Sequence, residues 1–365
     1  MMLPADLESK FFAGSLFIVI AFILLLFLSH FIYVRYFHRI RFSIATGSAV
    51  LALNTYALVC LPSFRLSQPV LMLAALELFI IWIYISVSLL QIFLSGEKLV
   101  AHQADRLSTG YWVAGTILMA LMFDRVEQTL HGFIVFLSLL SAVWYGIYLI
   151  IFMRWLFLCL RKRFHLHTDG MIFLAAVSTQ AMVLLMTELF RDDVSAWAYQ
   201  LIIGCGFVFF FAGLVSLVWH SLAAHARHLA AGWPNVNSLI HGALSITGLA
   251  MVSSLAYPEW SIVGLWWCAL VFLLIVEGLE FSRLLIRLRR KGFWKGLCVY
   301  HVTQWPRLFA FGVFYGFGLS CYNKGYTTVF MISFIANYGQ YILTALLIAQ
   351  LAVVMRHVVK QETIS

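Results

Sequence analysis

GMIFLAAVSTQAMVLLMTELF (residues 170–190), RDDVS (191–195) and AWAYQLIIGCGFVFFFAGLVSLV (196–218) decide the fold of this chain. Two runs of roughly 20 mostly apolar residues, each long enough to cross a hydrocarbon core of about 30 Å, are joined by a turn that only reverses direction. The two runs differ in kind. The first is built of small and hydroxylic residues (Ala175, Ala176, Ser178, Thr179), the second of bulky ones (Val208, Phe209, Phe210, Phe211). Small residues let backbones approach or leave a lumen open, whereas large apolar ones face lipid. The unit is a hairpin of one inward and one outward helix.

This unit recurs. Helices are expected near 11–34, 43–61, 69–94, 109–123, 130–158, 170–190, 196–218, 236–257, 260–282, 301–320 and 327–355. With the first set aside, the other ten form five hairpins. Their first members carry Ala45-Thr46-Gly47-Ser48-Ala49, Ala114-Gly115-Thr116, Ala175 to Thr179, Gly242 to Gly248, and Gly312 with Gly316 and Gly318. Any one such pattern only packs helices. Five in alternation point to five inner helices around an axis with five outer helices behind them. The expected fold is an all-α polytopic membrane protein of about eleven spanning helices. It divides into an extra N-terminal helix with a basic loop (1–41), a ten-helix pore domain (42–355) and a short cytoplasmic tail (356–365). The fourth helix is the shortest expectation, because Asp124, Arg125 and Glu127 cut it to about 15 residues, roughly 22 Å of rise.

Composition agrees. Of the 365 residues 63% are hydrophobic and 11% charged, against about a quarter charged in soluble domains, so function must lie inside the bundle. The net charge of +9 is not a nucleic-acid footprint, since the bases flank apolar runs without interleaved aromatics. They read as topology signals. Of the 24 Lys and Arg, Lys10, Arg65, Arg125, Arg191 and Lys324 lie on one side and Arg307 inside a helix; the remaining eighteen follow odd-numbered helices. The excess marks the cytoplasm, which places the C-terminus there and the N-terminus outside a cell (inner) membrane. Phe11 to Val34 is too long for a signal sequence, and its flanks are reversed, with Asp6 and Glu8 before it and Arg35, Arg39 and Arg41 after it. It reads as a retained anchor.

Six scattered cysteines without a CxxC pair suggest neither a disulfide framework nor a zinc site. His220, His225 and His228, and separately His165 and His167, cluster near predicted helix ends. Without an HxxHH box or neighbouring carboxylates they read as solvated surface segments, and no metal or cofactor is expected. Gly-rich phosphate loops, Gly-x-Ser-x-Gly elbows and Glu-x-x-His pairs are missing, so an enzyme is not expected.

Four stretches carry a family resemblance. Phe173 to Ala181, with Val177-Ser178-Thr179-Gln180, resembles the "V-x-T-Q-S" segment of the tellurite-resistance/dicarboxylate transporter family, which includes plant slow anion channels and malate and sulfite transporters. Trp233-Pro234, Asn237 and His241 to Ala250 resemble its "W-I-N-M-G-A-x-A-I-x-x-L-A", Phe42 to Gly47 its "F-A-x-x-T-G", and Trp305 to Gly312 its "W-x-x-x-F-P-x-G". Order and spacing agree over 42–355. The chain departs at Ala310, where the family has Pro, and at Ile240-His241-Gly242, where it has Asn-Met-Gly; Phe11 to Val34 is additional.

The resemblance implies an axial pore in each subunit, an anion as permeant, a homotrimer, and an aromatic plug at the position of Phe309. A Phe ring across a narrow lumen is a hydrophobic gate, although most of the 32 Phe must face lipid. Arg307 reads either as attracting anions at the pore mouth or as snorkelling to the interface. Glu77 and Glu277 read as partners of Arg or as proton-coupling groups. Thr46, Thr179, Gln180 and Thr247, with Gly47, Gly242, Gly312 and Gly316, are the expected pore lining. The expected function is a channel or carrier for small (di)carboxylate or inorganic anions, its partners being that anion and membrane lipids. A proton-coupled metabolite exporter and a membrane-embedded enzyme using the His clusters are the alternatives.

Overall fold

The computed structural model describes residues 5–37, 42–95, 103–161, 169–190, 193–223, 233–297, 299–326 and 330–362. Among them there is no strand. Eleven α-helices follow one another among the described residues: α1 (Ala5–Ile32), α2 (Gly47–Thr55), α3 (Gln68–Leu94), α4 (Thr109–Val126), α5 (His131–Arg161), α6 (Leu174–Leu189), α7 (Ala196–Ala223), α8 (Leu239–Ser254), α9 (Glu259–Leu297), α10 (Trp305–Asn323) and α11 (Phe330–Glu362). Among the described residues ten segments are long and apolar enough to cross a membrane, which fits a helical membrane protein. The helix outside that set is α10, whose 19 residues include Pro306, Arg307, three glycines and Asn323.

Burial separates the helices into two kinds. In the segments containing α2, α4, α6 and α8, 56–89% of the most apolar stretch is buried, against 17–33% in those of α3, α5, α7, α9 and α11. Helix α10 joins the buried set through Phe309, Ala310, Val313, Tyr315 and Phe317. Contacts run from α2 to α4, α6, α8, α10 and back to α2, which closes a ring of five. Each outer helix packs on this ring, α3 against α2 and α4, α5 against α4 and α6, α7 against α6 and α8, α9 against α8 and α10, and α11 against α10.

A short 3-10 turn precedes each inner helix: Ile44–Thr46, Gln103–Ser108, Gly170–Phe173, Asn235–Ser238 and Val302–Gln304. These five turns touch one another in the same circular order. The inner helices therefore run parallel, with their N-termini gathered at one end. Closure there depends on Gly170, because a Cβ at that position would run into the Val236 carbonyl oxygen. At the opposite end the chain reverses through left-handed residues, Arg65 (φ 53°) beyond α2, Leu255 (φ 54°) after α8 and Gly325 (φ 80°) after α10.

Two expectations are corrected in extent. Helix α4 is 18 residues long, not about 15, because Asp124 and Arg125 lie inside its last turn; Arg125 Nη1 donates to Leu58 O at 3.1 Å, so the charge is met at the helix end instead of terminating it. Helix α9 runs on to Leu297, beyond the expected 282, interrupted at Gly292 (φ 72°). Helix α1 lies outside the ring against α3. A polar seam ties the two: Ser29 Oγ donates to Glu77 Oε1 at 2.6 Å, His30 Nδ1 lies 3.0 Å from Tyr84 OH, and Tyr33 OH lies 2.7 Å from Ser88 Oγ. The Tyr33 and Tyr84 rings stack at 4.5 Å.

Candidate functional site

Each inner helix carries two residues four apart near its C-terminal end that face the ring interior: Val59 and Ser63 just beyond α2, Leu121 and Arg125 on α4, Leu184 and Glu188 on α6, Leu249 and Ser253 on α8, Gly316 and Ser320 on α10. Residues four apart lie on one face of a helix, so the five pairs form two stacked layers. The inner layer is apolar. The outer layer holds three serines, Arg125 and Glu188, and together they line a cavity of about 550 Å³ with Thr187 and Asn323 at its side.

Seven residues before the apolar layer, two turns or about 10 Å deeper, the same faces carry Ala114, Val177, Gly242 and Phe309. On α2 the winding loosens to a π-helical turn at Tyr56–Cys60, and its counterparts at that depth are Leu51 and Ala52. All six residues are buried. Phe309 is fully enclosed, and its Cε1 lies 3.5 Å from where a Cβ on Gly242 would stand. It shares one stripe of α10 with Gly312, which abuts Thr55, and Gly316, which abuts Val59 and Leu249. One large ring on α10 thus stands at the level of small side chains on α4, α6 and α8, beneath a polar cavity.

The other sequence-expected residues are placed elsewhere. Thr179 Oγ1 lies 2.8 Å from Tyr145 OH on α5, and Gln180 Nε2 donates to Ile203 O on α7 at 3.1 Å, so both serve the seam between inner and outer layers. Thr46 Oγ1 accepts from Ser43 N–H at 3.1 Å and lines an apolar pocket of about 240 Å³ shared with α1 and α3, together with Glu77. Thr247 bonds back to Ala243 O, and Gly47 gives room to the Trp112 indole. Arg307 forms a forked ion pair with Glu277 on α9, its Nε donating to Oε1 at 3.1 Å, and its guanidinium lies over the Phe311 ring at 5.8 Å. In the loop before α10, burial pushes the Tyr300 hydroxyl above its ordinary range, while the Trp305 indole N–H that donates to it at 3.2 Å pulls the other way.

His165, His167, His225 and His228 lie outside the described residues, as does the His220 side chain. Among the described residues no three His, Cys, Asp or Glu side chains lie close enough to share a metal ion. Two features escape sequence reasoning. The serine, Arg125 and Glu188 layer has a signal, an apolar residue followed four later by a polar one at the same end of every inner helix, but only the closed ring shows that these faces converge. His241 is fully buried on α8 with neither ring nitrogen hydrogen-bonded, its imidazole 5.8 Å from the Phe311 ring. The sequence matches no known family model and no characterised protein.

Proposed function

We propose that this chain conducts small anions, (di)carboxylate or inorganic, along the axis of the five-helix ring, with Phe309 as the gate. The observation that carries the reading is the Phe309 level itself. A single enclosed phenyl ring stands among Ala114, Val177 and Gly242, about two turns below a cavity lined by all five inner helices. An aromatic ring in a narrow apolar lumen excludes water and hydrated ions until it rotates aside.

The parallel arrangement of the ring adds an electrostatic argument. Five helix N-termini gathered at one end each carry roughly half a positive charge, which favours anions over cations at that mouth. Arg125 and Glu188 within the polar layer make the opposite mouth mixed in sign. The resemblance of Val177 to Gln180, Trp233 to Ala250 and Trp305 to Gly312 to the tellurite-resistance/dicarboxylate transporter family points to the same class, and with it to a homotrimer in the cell membrane.

Proteoliposome flux tests the reading. Phe309→Ala is expected to raise chloride, nitrate or malate efflux about tenfold or more over wild type, since removing the ring leaves an open path. Unchanged flux in a well-folded Phe309→Ala protein refutes the gate. No anion flux in wild type or variant refutes anion transport altogether.

A further inference from the structure

A second cavity, about 350 Å³ in volume, lies away from the axis at the end of the bundle where the inner helices begin. One face of α9 supplies Glu277, Glu280, Phe281, Leu284 and Arg287; Asn235 and Gln304 supply the turns that open α8 and α10; Arg307 closes the wall. Its wall carries two carboxylates and two guanidiniums, and Arg283 beside it adds a third guanidinium. Glu277 is taken by Arg307, and Glu280, 2% exposed, is taken by Arg283 at 3.4 Å. Arg283 also donates to Asn235 Oδ1 at 2.7 Å, which leaves the Asn235 NH2 available. The remaining guanidinium, Arg287, lies in the field of Glu280 but forms no ion pair with it among the described residues. Its Nε is enclosed and donates to no protein acceptor. A buried donor without an acceptor is uncommon in a native fold.

We infer that this cavity is a binding site for a phosphate-monoester group, with Arg287 as its principal donor. The guanidinium fork matches phosphate oxygens, two helix N-terminal turns face the same space, and the volume falls at the small end of ligand pockets. Basic pockets between membrane helices at the cytoplasmic surface take phosphate-bearing headgroups, and the charge asymmetry of the loops puts this end on the cytoplasmic side. The phosphate arrives on a lipid headgroup or on a soluble ligand. The site is independent of the axial path.

The test uses the full chain purified in neutral detergent, with two probes: inorganic phosphate by calorimetry, and vesicles of phosphatidylcholine with or without phosphatidic acid. Saturable binding of either probe is expected to weaken about tenfold or more in Arg287→Gln. Arg289→Gln removes the same charge from an exposed position two residues on, and is expected to change binding less than about twofold. Binding of phosphate alone identifies a soluble ligand, and binding of phosphatidic acid alone a lipid headgroup. If Arg287→Gln does not purify as one species, Leu284→Trp fills the cavity at constant charge and carries the same expectation. Absence of saturable binding to both probes, or equal losses in Arg287→Gln and Arg289→Gln, overturns the site.

Discussion

His241 occupies the wall of the inner ring with both nitrogens enclosed and unbonded, beside an aromatic ring and one residue from the Phe309 level. Burying an imidazole without a partner costs about 1–3 kcal/mol relative to an apolar side chain of similar size. His241→Leu is therefore expected to stabilise the protein by about 1 kcal/mol, read as a higher unfolding midpoint in detergent. A lower midpoint would show that the imidazole makes a favourable interaction in the folded bundle. The sequence marked this position only as a departure from a motif. Nothing in Ile240-His241-Gly242 says whether the imidazole points to lipid, to a neighbouring helix or to the axis. Thr179 and Gln180 make the same point in reverse, because polar residues on an inner helix turn out to bond Tyr145 and Ile203 of the outer layer.

Between elements, the Arg307–Glu277 fork is the polar tie of α10 to α9, and it sits at the start of the helix that carries Phe309. Glu277 is 17% and Arg307 40% exposed, so solvent screens the pair and its worth is near that of a half-exposed bridge. Arg307→Gln and Glu277→Gln are each expected to lower stability by about 1 kcal/mol, and the double variant by less than their sum. Strict additivity would show that the two groups do not support each other. The boundaries expected at 69–94 and 170–190 are close to those of α3 and of α6 with its opening turn, because hydropathy ends where the chain must turn. The larger difference, in α9, has a local cause. Charged residues Arg283 to Lys291 do not stop a helix that has already left the apolar layer; Gly292, with φ 72°, interrupts it.

For the molecule as a whole, the loop charges combined with an odd number of spans predict an N-terminus outside and a C-terminus inside. Green fluorescent protein fused after Ser365 is expected to fluoresce and alkaline phosphatase fused there to stay inactive. The reverse pattern would shift the count by one helix and move the phosphate cavity to the other face. The ring also gives meaning to α10. It is too diluted by Pro, Arg and Gly to rank with the apolar segments, yet it needs little lipid-facing surface, because α2, α8, α9 and α11 contact it.

Hydropathy and side-chain size along the chain set the class of molecule and its unit: apolar runs of spanning length, reversed by short turns, alternating small with bulky. Those properties are local, since each follows from the cost of carrying a backbone through hydrocarbon and from which side chains tolerate lipid. Which faces meet follows from how the helices pack. Ser63, Arg125, Glu188, Ser253 and Ser320 come from five hairpins, and only closure of the ring brings them to one level. Likewise Arg287 is one base among many in the sequence, and becomes distinctive because Arg307 and Arg283 have already taken the two carboxylates beside it.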